Sequence, residues 1–159
     1  MTHVKICGIS DPGNLQVAIR AGARFVGFVF YPPSPRNVSF DTAWNLARAV
    51  PTGVRSVGLF VDPDNDFLKE VTSGIQLDMV QLHGSETPGR IAEIKELTHA
   101  PVMKAIRIGQ ASDLDNVQGF EAAADWLLFD AKAEKSELPG GTGETFDWSL
   151  LEGCSFRKP

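Results

Sequence analysis

Short apolar runs return along this 159-residue chain at nearly even steps, each followed by a turn and an amphipathic stretch. The runs are "HVKIC", "RFVGFVF", "VRSVGLF", "LDMVQL", "PVMKAI" and "DWLLFD". Their last residues fall near Cys7, Phe30, Phe60, Leu82, Ile106 and Asp130, between 22 and 30 residues apart. No two runs are close enough to be joined by a hairpin turn, so neighbouring strands must run parallel with a crossover between them. "RFVGFVF" is apolar almost throughout, as suits a parallel strand covered on both faces. Six strand–helix units at so regular a step favour a (βα) barrel over a doubly wound sheet. The expected class is therefore α/β, of the (βα)8 TIM-barrel type. A full barrel of eight units takes about 250 residues. One further step beyond Asp130 falls near Arg157 to Pro159, so the expectation is that about six of the eight units are present.

The crossovers carry their own signals. Asp11 and Pro12 give an N-cap and first-turn proline for a helix that sets Leu15, Ala18 and Ile19 on one face and stops at Gly22. Ser39 caps a helix from Phe40, "PDNDFLKEVTSG" is a loop and helix, and Ile91, Ile94 and Leu97 are at helical spacing in the next. A short helix is expected around Asp113 to Gln118 and another from Asp147. No linker or change of composition divides the chain, so residues 1–159 are read as one barrel domain.

Composition narrows the function. The apolar fraction is 43%, the charged fraction 22% and the net charge −5, with no cluster of lysine or arginine. A nucleic-acid partner needs concentrated positive charge, and a membrane span about 18 or more apolar residues; neither is expected. The N-terminus has no signal-peptide stretch, and Cys7 and Cys154 do not make a disulfide scaffold, so the expected location is cytoplasmic. Small anionic substrates remain compatible with this charge, since single basic residues and backbone N–H groups can hold them.

In such a barrel the chemistry sits at the carboxyl ends of the strands. Cys7 ends the first. A free cysteine is commonly a buried packing residue, but Gly8 beside it leaves the sulfur room to face a ligand. Asp130 ends the sixth run after four apolar residues. It either caps the next loop or acts as a general acid, with a carboxyl pKa expected to be raised by apolar surroundings. Arg36 stands in "PPSPRNVS", a loop stiffened by prolines, where an arginine loses less entropy on binding a carboxylate or phosphate. His83 follows "VQL" and faces the same mouth. His3 and Cys7 lack a third and fourth ligand, so no metal site is expected. "PGGTGETFDW" lacks the phosphate-loop pattern and fits a lid or substrate-contacting loop, with Gly141 and Gly143 allowing close backbone approach.

The stretches "KICGI", "GFVFYPPSPRNVS", "VGLFV", "VQLHG", "KAIR", "LFDA" and "GGTGETFDW", in this order, resemble the phosphoribosylanthranilate isomerases of tryptophan biosynthesis over nearly the whole chain. The resemblance implies a cofactor-free, metal-free Amadori rearrangement of N-(5′-phosphoribosyl)anthranilate, an aminoaldose, into an aminoketose. It implies Cys7 as general base, Asp130 as general acid, Arg36 at the anthranilate end, and His83 and Gln81 lining the substrate pocket. The family's phosphate site lies in loops of a seventh and eighth unit not found here. The alternative expectation is thus an incomplete barrel, inactive alone, that pairs its open strand edges with a C-terminal segment or a second copy.

Overall fold

The computed structural model describes residues 2–132, 145 and 147–159. Six strands alternate with helices: β1 (Lys5–Cys7), α1 (Pro12–Arg20), β2 (Phe25–Phe30), α2 (Phe40–Arg48), β3 (Arg55–Phe60), α3 (Asn65–Gly74), β4 (Met79–Leu82), α4 (Pro88–Thr98), β5 (Val102–Ile108), α5 (Val117–Ala123) and β6 (Trp126–Ala131). All six are parallel and lie in chain order, β1 to β6, which is the curled sheet of a barrel and not the reordered sheet of a doubly wound fold.

Side-chain parity divides the sheet into two faces. Even-numbered residues such as Val26, Phe28, Phe60, Val80, Leu82 and Val102 pack with Leu15, Leu46, Leu68 and Ile94 of the helices. Odd-numbered Phe25, Val57, Met79 and Met103 pack with Trp126 and Leu128 into a second cluster on the concave face. Successive strand residues point to opposite sides, so everything in step with that cluster faces the barrel interior. The central strands are buried and the outer two are not: β6 is half-buried along most of its length, and Ile6 in β1 is 40% exposed.

The expected caps Asp11 and Ser39 each accept an N–H from the first turn, and Asp64 and Thr87 do the same for α3 and α4. The fifth crossover departs from expectation. β5 runs two residues further, to Ile108, and the carboxylate of Asp113 accepts from the N–H groups of Gly109 and Gln110 at 2.9 and 3.0 Å. That closes a 3-10 turn over Ala111–Leu114, so α5 begins only at Val117. Near Asp147, a 3-10 turn (Trp148–Leu151) stands in place of a regular helix. The last residues return to the free edge of β6: Leu127 N–H donates to Pro159 C=O at 2.9 Å, and Phe156 lies on Phe129 with ring centroids 4.8 Å apart.

Candidate active site

Register brings the strand-end residues together. Cys7 pairs with Gly27 of β2, Gly27 with Val57 and Val57 with Met79; further round the sheet Gln81 pairs with Met103, Met103 with Trp126, and Arg107 with Asp130. Lys5, Cys7, Gln81, Arg107 and Asp130 all share the parity of the concave cluster. His83, two residues past Gln81, continues that series beyond the end of β4. Cys7 and Asp130 therefore sit on one face, at the carboxyl ends of the two outermost strands.

Two glycines make room at the first of these ends. A Cβ placed on Gly27 would lie 2.8 Å from Cys7 Sγ and 3.1 Å from Lys5 Nζ, so sulfur and ammonium share the space that a side chain would fill. Cys7 is exposed and carries a free thiol. Gly8 has φ of +84°, a conformation open to glycine, and its missing side chain is replaced by the stem of Arg36: a Cβ there would lie 2.5 Å from Arg36 Cδ. The "PPSPR" loop is folded back to deliver that arginine. Ser34 N–H donates to Tyr31 C=O, Asn37 N–H to Ser34 C=O, and the Asn37 side chain accepts from Tyr31 N–H. Asn37 then bridges to Val29 beside β2. Arg36 is in this way seated against the residue that follows Cys7.

At the far end, His83 Nε2 lies 3.0 Å from Asp130 Oδ2, and His83 Nδ1 lies 3.1 Å from the side-chain amide of Gln81. The contact sets the charge state of Asp130. Its carboxyl is held below the usual carboxylate range, first by the hydrogen bond from His83; desolvation opposes this, while the charges of His83 and Arg107 and the Ala131 N–H add to it. The raised pKa expected from apolar neighbours is thus corrected. The apolar run that precedes Asp130 alternates in direction, and the carboxylate turns to an imidazole instead of to hydrocarbon.

Gln81 is 1% exposed and His83 8%, so the amide stands behind the imidazole and away from the open mouth. Their loop is pinned from below. His83 N–H donates to Phe60 C=O at 2.9 Å, and Glu86 accepts from Gly84 N–H and Asp62 N–H. Glu86 is in turn paired at 2.7 Å with Lys104, whose Nζ also donates to Gly84 C=O. Lys5, Arg107, Glu86 and Lys104 were not singled out from sequence. Parity offered one signal: Lys5 is two residues from Cys7, and Arg107 follows an inward-facing Ala105.

Gly141 and Gly143 lie outside the described residues. Among those described, no cluster of three or more His, Cys, Asp and Glu side chains could hold a metal ion, and no helix is long and apolar enough to cross a membrane. A cavity of about 930 Å3 opens at the opposite end of the sheet, lined by Arg24, Phe25, Arg55, Asp78 and Trp126 among others. Volume does not make it the site, because the carboxyl ends of barrel strands carry the loops that chemistry uses.

Comparison with known proteins agrees with this fold. The family described as N-(5′phosphoribosyl)anthranilate (PRA) isomerase matches residues 4–158. The N-(5′-phosphoribosyl)anthranilate isomerase of Rhodospirillum centenum is 52% identical over 159 residues, which are 99% of this chain and 74% of that protein. The Paracoccus denitrificans enzyme of the same name is 52% identical over 157 residues, 98% of this chain and 73% of the relative. The crystal structure of phosphoribosyl anthranilate isomerase from Thermotoga maritima superimposes with a TM-score of 0.83 at 36% identity, over 95% of this chain and 70% of that one. A further isomerase structure, in complex with reduced 1-(o-carboxyphenylamino)-1-deoxyribulose 5-phosphate, gives a TM-score of 0.80 at 32% identity, over 95% and 69%. This chain belongs to the N-(5′-phosphoribosyl)anthranilate isomerase family.

Proposed function

We propose that the chain acts as the isomerase of tryptophan biosynthesis that its family name describes, with Asp130 as general acid and Cys7 as general base. The observation that carries the assignment is side-chain parity: the two groups share the face of the concave cluster, at strand ends far apart in sequence. Asp130 gives a proton to the ribose ring oxygen. The C1–O bond breaks with its electron pair on that oxygen, and the nitrogen lone pair closes a C1=N iminium. Cys7 Sγ, as thiolate, takes the proton from C2, and the C2–H electrons neutralise the iminium to an enolamine. C1 then accepts a proton while the 2-hydroxyl releases one, leaving the ketone. Two protons are gained and two lost, so the reaction is an isomerisation.

Lys5 and Arg36 give the Cys7 end a positive character that suits a thiolate and an anionic substrate. Arg36, on its folded loop, is the group proposed to hold the anthranilate carboxylate, and Gly141 and Gly143 are proposed to contact the substrate. The phosphorylated substrate and the reduced product analogue named for the related structure share that carboxylate. Loss of substrate fluorescence measures turnover. Cys7→Ser and Asp130→Asn should each lower kcat by about 100-fold or more with analogue binding retained. Turnover by either variant at the wild-type rate rejects the role given to that residue.

A second proposal concerns completeness. At one edge of the six-stranded sheet Val4 beside β1 and Ile6 within it are exposed, and at the other the β6 backbone bond from Leu127 N–H goes to the Pro159 carbonyl and not to a further strand among the described residues. Turnover is then expected to depend on two further βα units supplied by a C-terminal segment. Activity that appears only when a separately made C-terminal quarter is mixed in supports it, and full activity of the chain alone refutes it.

A further inference from the structure

Three side chains stand in line behind the mouth, and one atom among them is unsatisfied. Gln81 Nε2 lies 3.1 Å from His83 Nδ1, and His83 Nε2 lies 3.0 Å from Asp130 Oδ2. The Gln81 carbonyl Oε1 is buried with no hydrogen-bond partner among the described residues. Buried polar atoms are rarely left so, and one that is left asks for an explanation. With Gln81 Nε2, the amide donor, on Nδ1, the imidazole is assigned Nδ1 as acceptor and its proton on Nε2, facing Asp130.

We propose that Gln81 and His83 are positioning residues that hold and reload the proton given by Asp130, with the Gln81 amide turning over when the imidazole is first charged at Nδ1. The inference rests on Asp130 being the acid. It accounts for the orphaned oxygen. In the unloaded state, described above, Oε1 has nothing to accept. When a proton from water adds to Nδ1, a half-turn of the amide lets Oε1 accept from Nδ1–H, and the orphan is satisfied. The imidazolium keeps its Nε2–H on the Asp130 carboxylate.

Ring opening then draws on this store. The Nε2–H bond breaks, its proton passes over Asp130 to form the O–H on the ring oxygen, and the carboxylate is regenerated. His83 is left neutral, protonated at Nδ1, with a bare Nε2 against a carboxylate. That repulsion is relieved when the proton released by the 2-hydroxyl of the enolamine returns through Asp130 to Nε2. No proton is gained or lost over the cycle. An ionised carboxylate in the free protein, which the His83 contact favours, is thereby compatible with an acid role. The charged groups facing the relay are Asp130 from β6 and Arg107 from β5; Glu86 and Lys104 hold the His83 loop from the other side of the sheet.

Nitrogen-15 NMR of the histidine-labelled chain reads the arrangement without requiring turnover, and only His3, His83 and His99 contribute signals. The expected wild-type spectrum at high pH shows His83 protonated at Nε2 and bare at Nδ1. Gln81→Leu should give a mixture of the two tautomers, and Gln81→Glu, whose carboxylate accepts from Nδ1–H, should move the proton to Nδ1. A wild-type His83 protonated only at Nδ1, or a tautomer unmoved by both variants, overturns the proposal. In kinetics, His83→Asn should lower kcat about 100-fold with KM unchanged. A raised KM at full kcat would instead make His83 a plain substrate contact and sink the relay. Full turnover by Asp130→Asn overturns the acid assignment itself; full turnover by His83→Asn beside an inactive Asp130→Asn overturns the relay alone.

Discussion

Replacing Lys104 by methionine tests what holds the His83 loop in place. Lys104 and Glu86 side chains are 3% and 1% exposed, with nitrogen and oxygen 2.7 Å apart. Methionine nearly fills the volume of the lysine stem but removes the ammonium, so the Glu86 carboxylate stays buried without a counter-charge. Breaking a buried pair from one side costs about 3–5 kcal/mol. Glu86 retains its bonds from Asp62 N–H at 2.9 Å and Gly84 N–H at 3.0 Å, while Gly84 C=O loses its donor. Two surviving donors place the expected loss near the lower end, about 3 kcal/mol, or a fall in Tm of roughly 6–12 °C for a chain of this length. Urea and thermal unfolding measure it. Adding Glu86→Gln should recover at least half, because a neutral amide oxygen still accepts both N–H groups without leaving a buried charge. A loss below about 1 kcal/mol for Lys104→Met, the range of exposed pairs, would refute the reasoning.

Gly27→Ala puts a methyl group 2.8 Å from Cys7 Sγ and 3.2 Å from Cys7 Cα, and the second contact is backbone that cannot swing away. The expected cost is about 1–3 kcal/mol, together with a changed rate of Cys7 labelling by a thiol reagent in a Cys154→Ser background; an unchanged rate and stability count against the shared space at Gly27. At Asp125, burial works to raise the carboxyl pKa, but the Lys95 ammonium at 2.7 Å and Val102 N–H at 2.9 Å outweigh it and hold it low. A depressed folded pKa gives stability that is present above the unfolded value of about 3.9 and lost as pH falls through the folded one. Asp125→Asn should flatten that acid limb, and an identical pH–stability curve would reject the contribution.

Strand positions were legible because a parallel strand buried on both faces must be apolar along its length, and "GFVF" and "VGLF" satisfy that with little ambiguity. Cap residues were legible for the same local reason: Asp11 and Ser39 act within three residues of themselves. Failures came where a distant or competing contact decided. Asp113 is a plausible helix former by position, yet its carboxylate closes the turn after Gly109, and α5 starts later. The strand-end rule located Cys7 and Asp130 but misjudged the carboxyl of Asp130, whose partner His83 is 47 residues away. Lys104 in "PVMKAI" gives no hint of its own that Glu86, in a loop after another strand, will neutralise it. Gln81 looked like a pocket residue from "VQLHG", while its burial behind His83 depends on how β4 ends.

Everything proposed for this chain requires that Cys7 and Asp130 face one cavity. Chemical cross-linking tests that without reference to catalysis. In a Cys154→Ser background, Asp130→Cys should be joined to Cys7 within one chain by a short bismaleimide, and Phe129→Cys, on the opposite parity of β6, should not. Cross-linking of the Phe129 variant with none for the Asp130 variant would place the two groups on opposite faces and contradict the account.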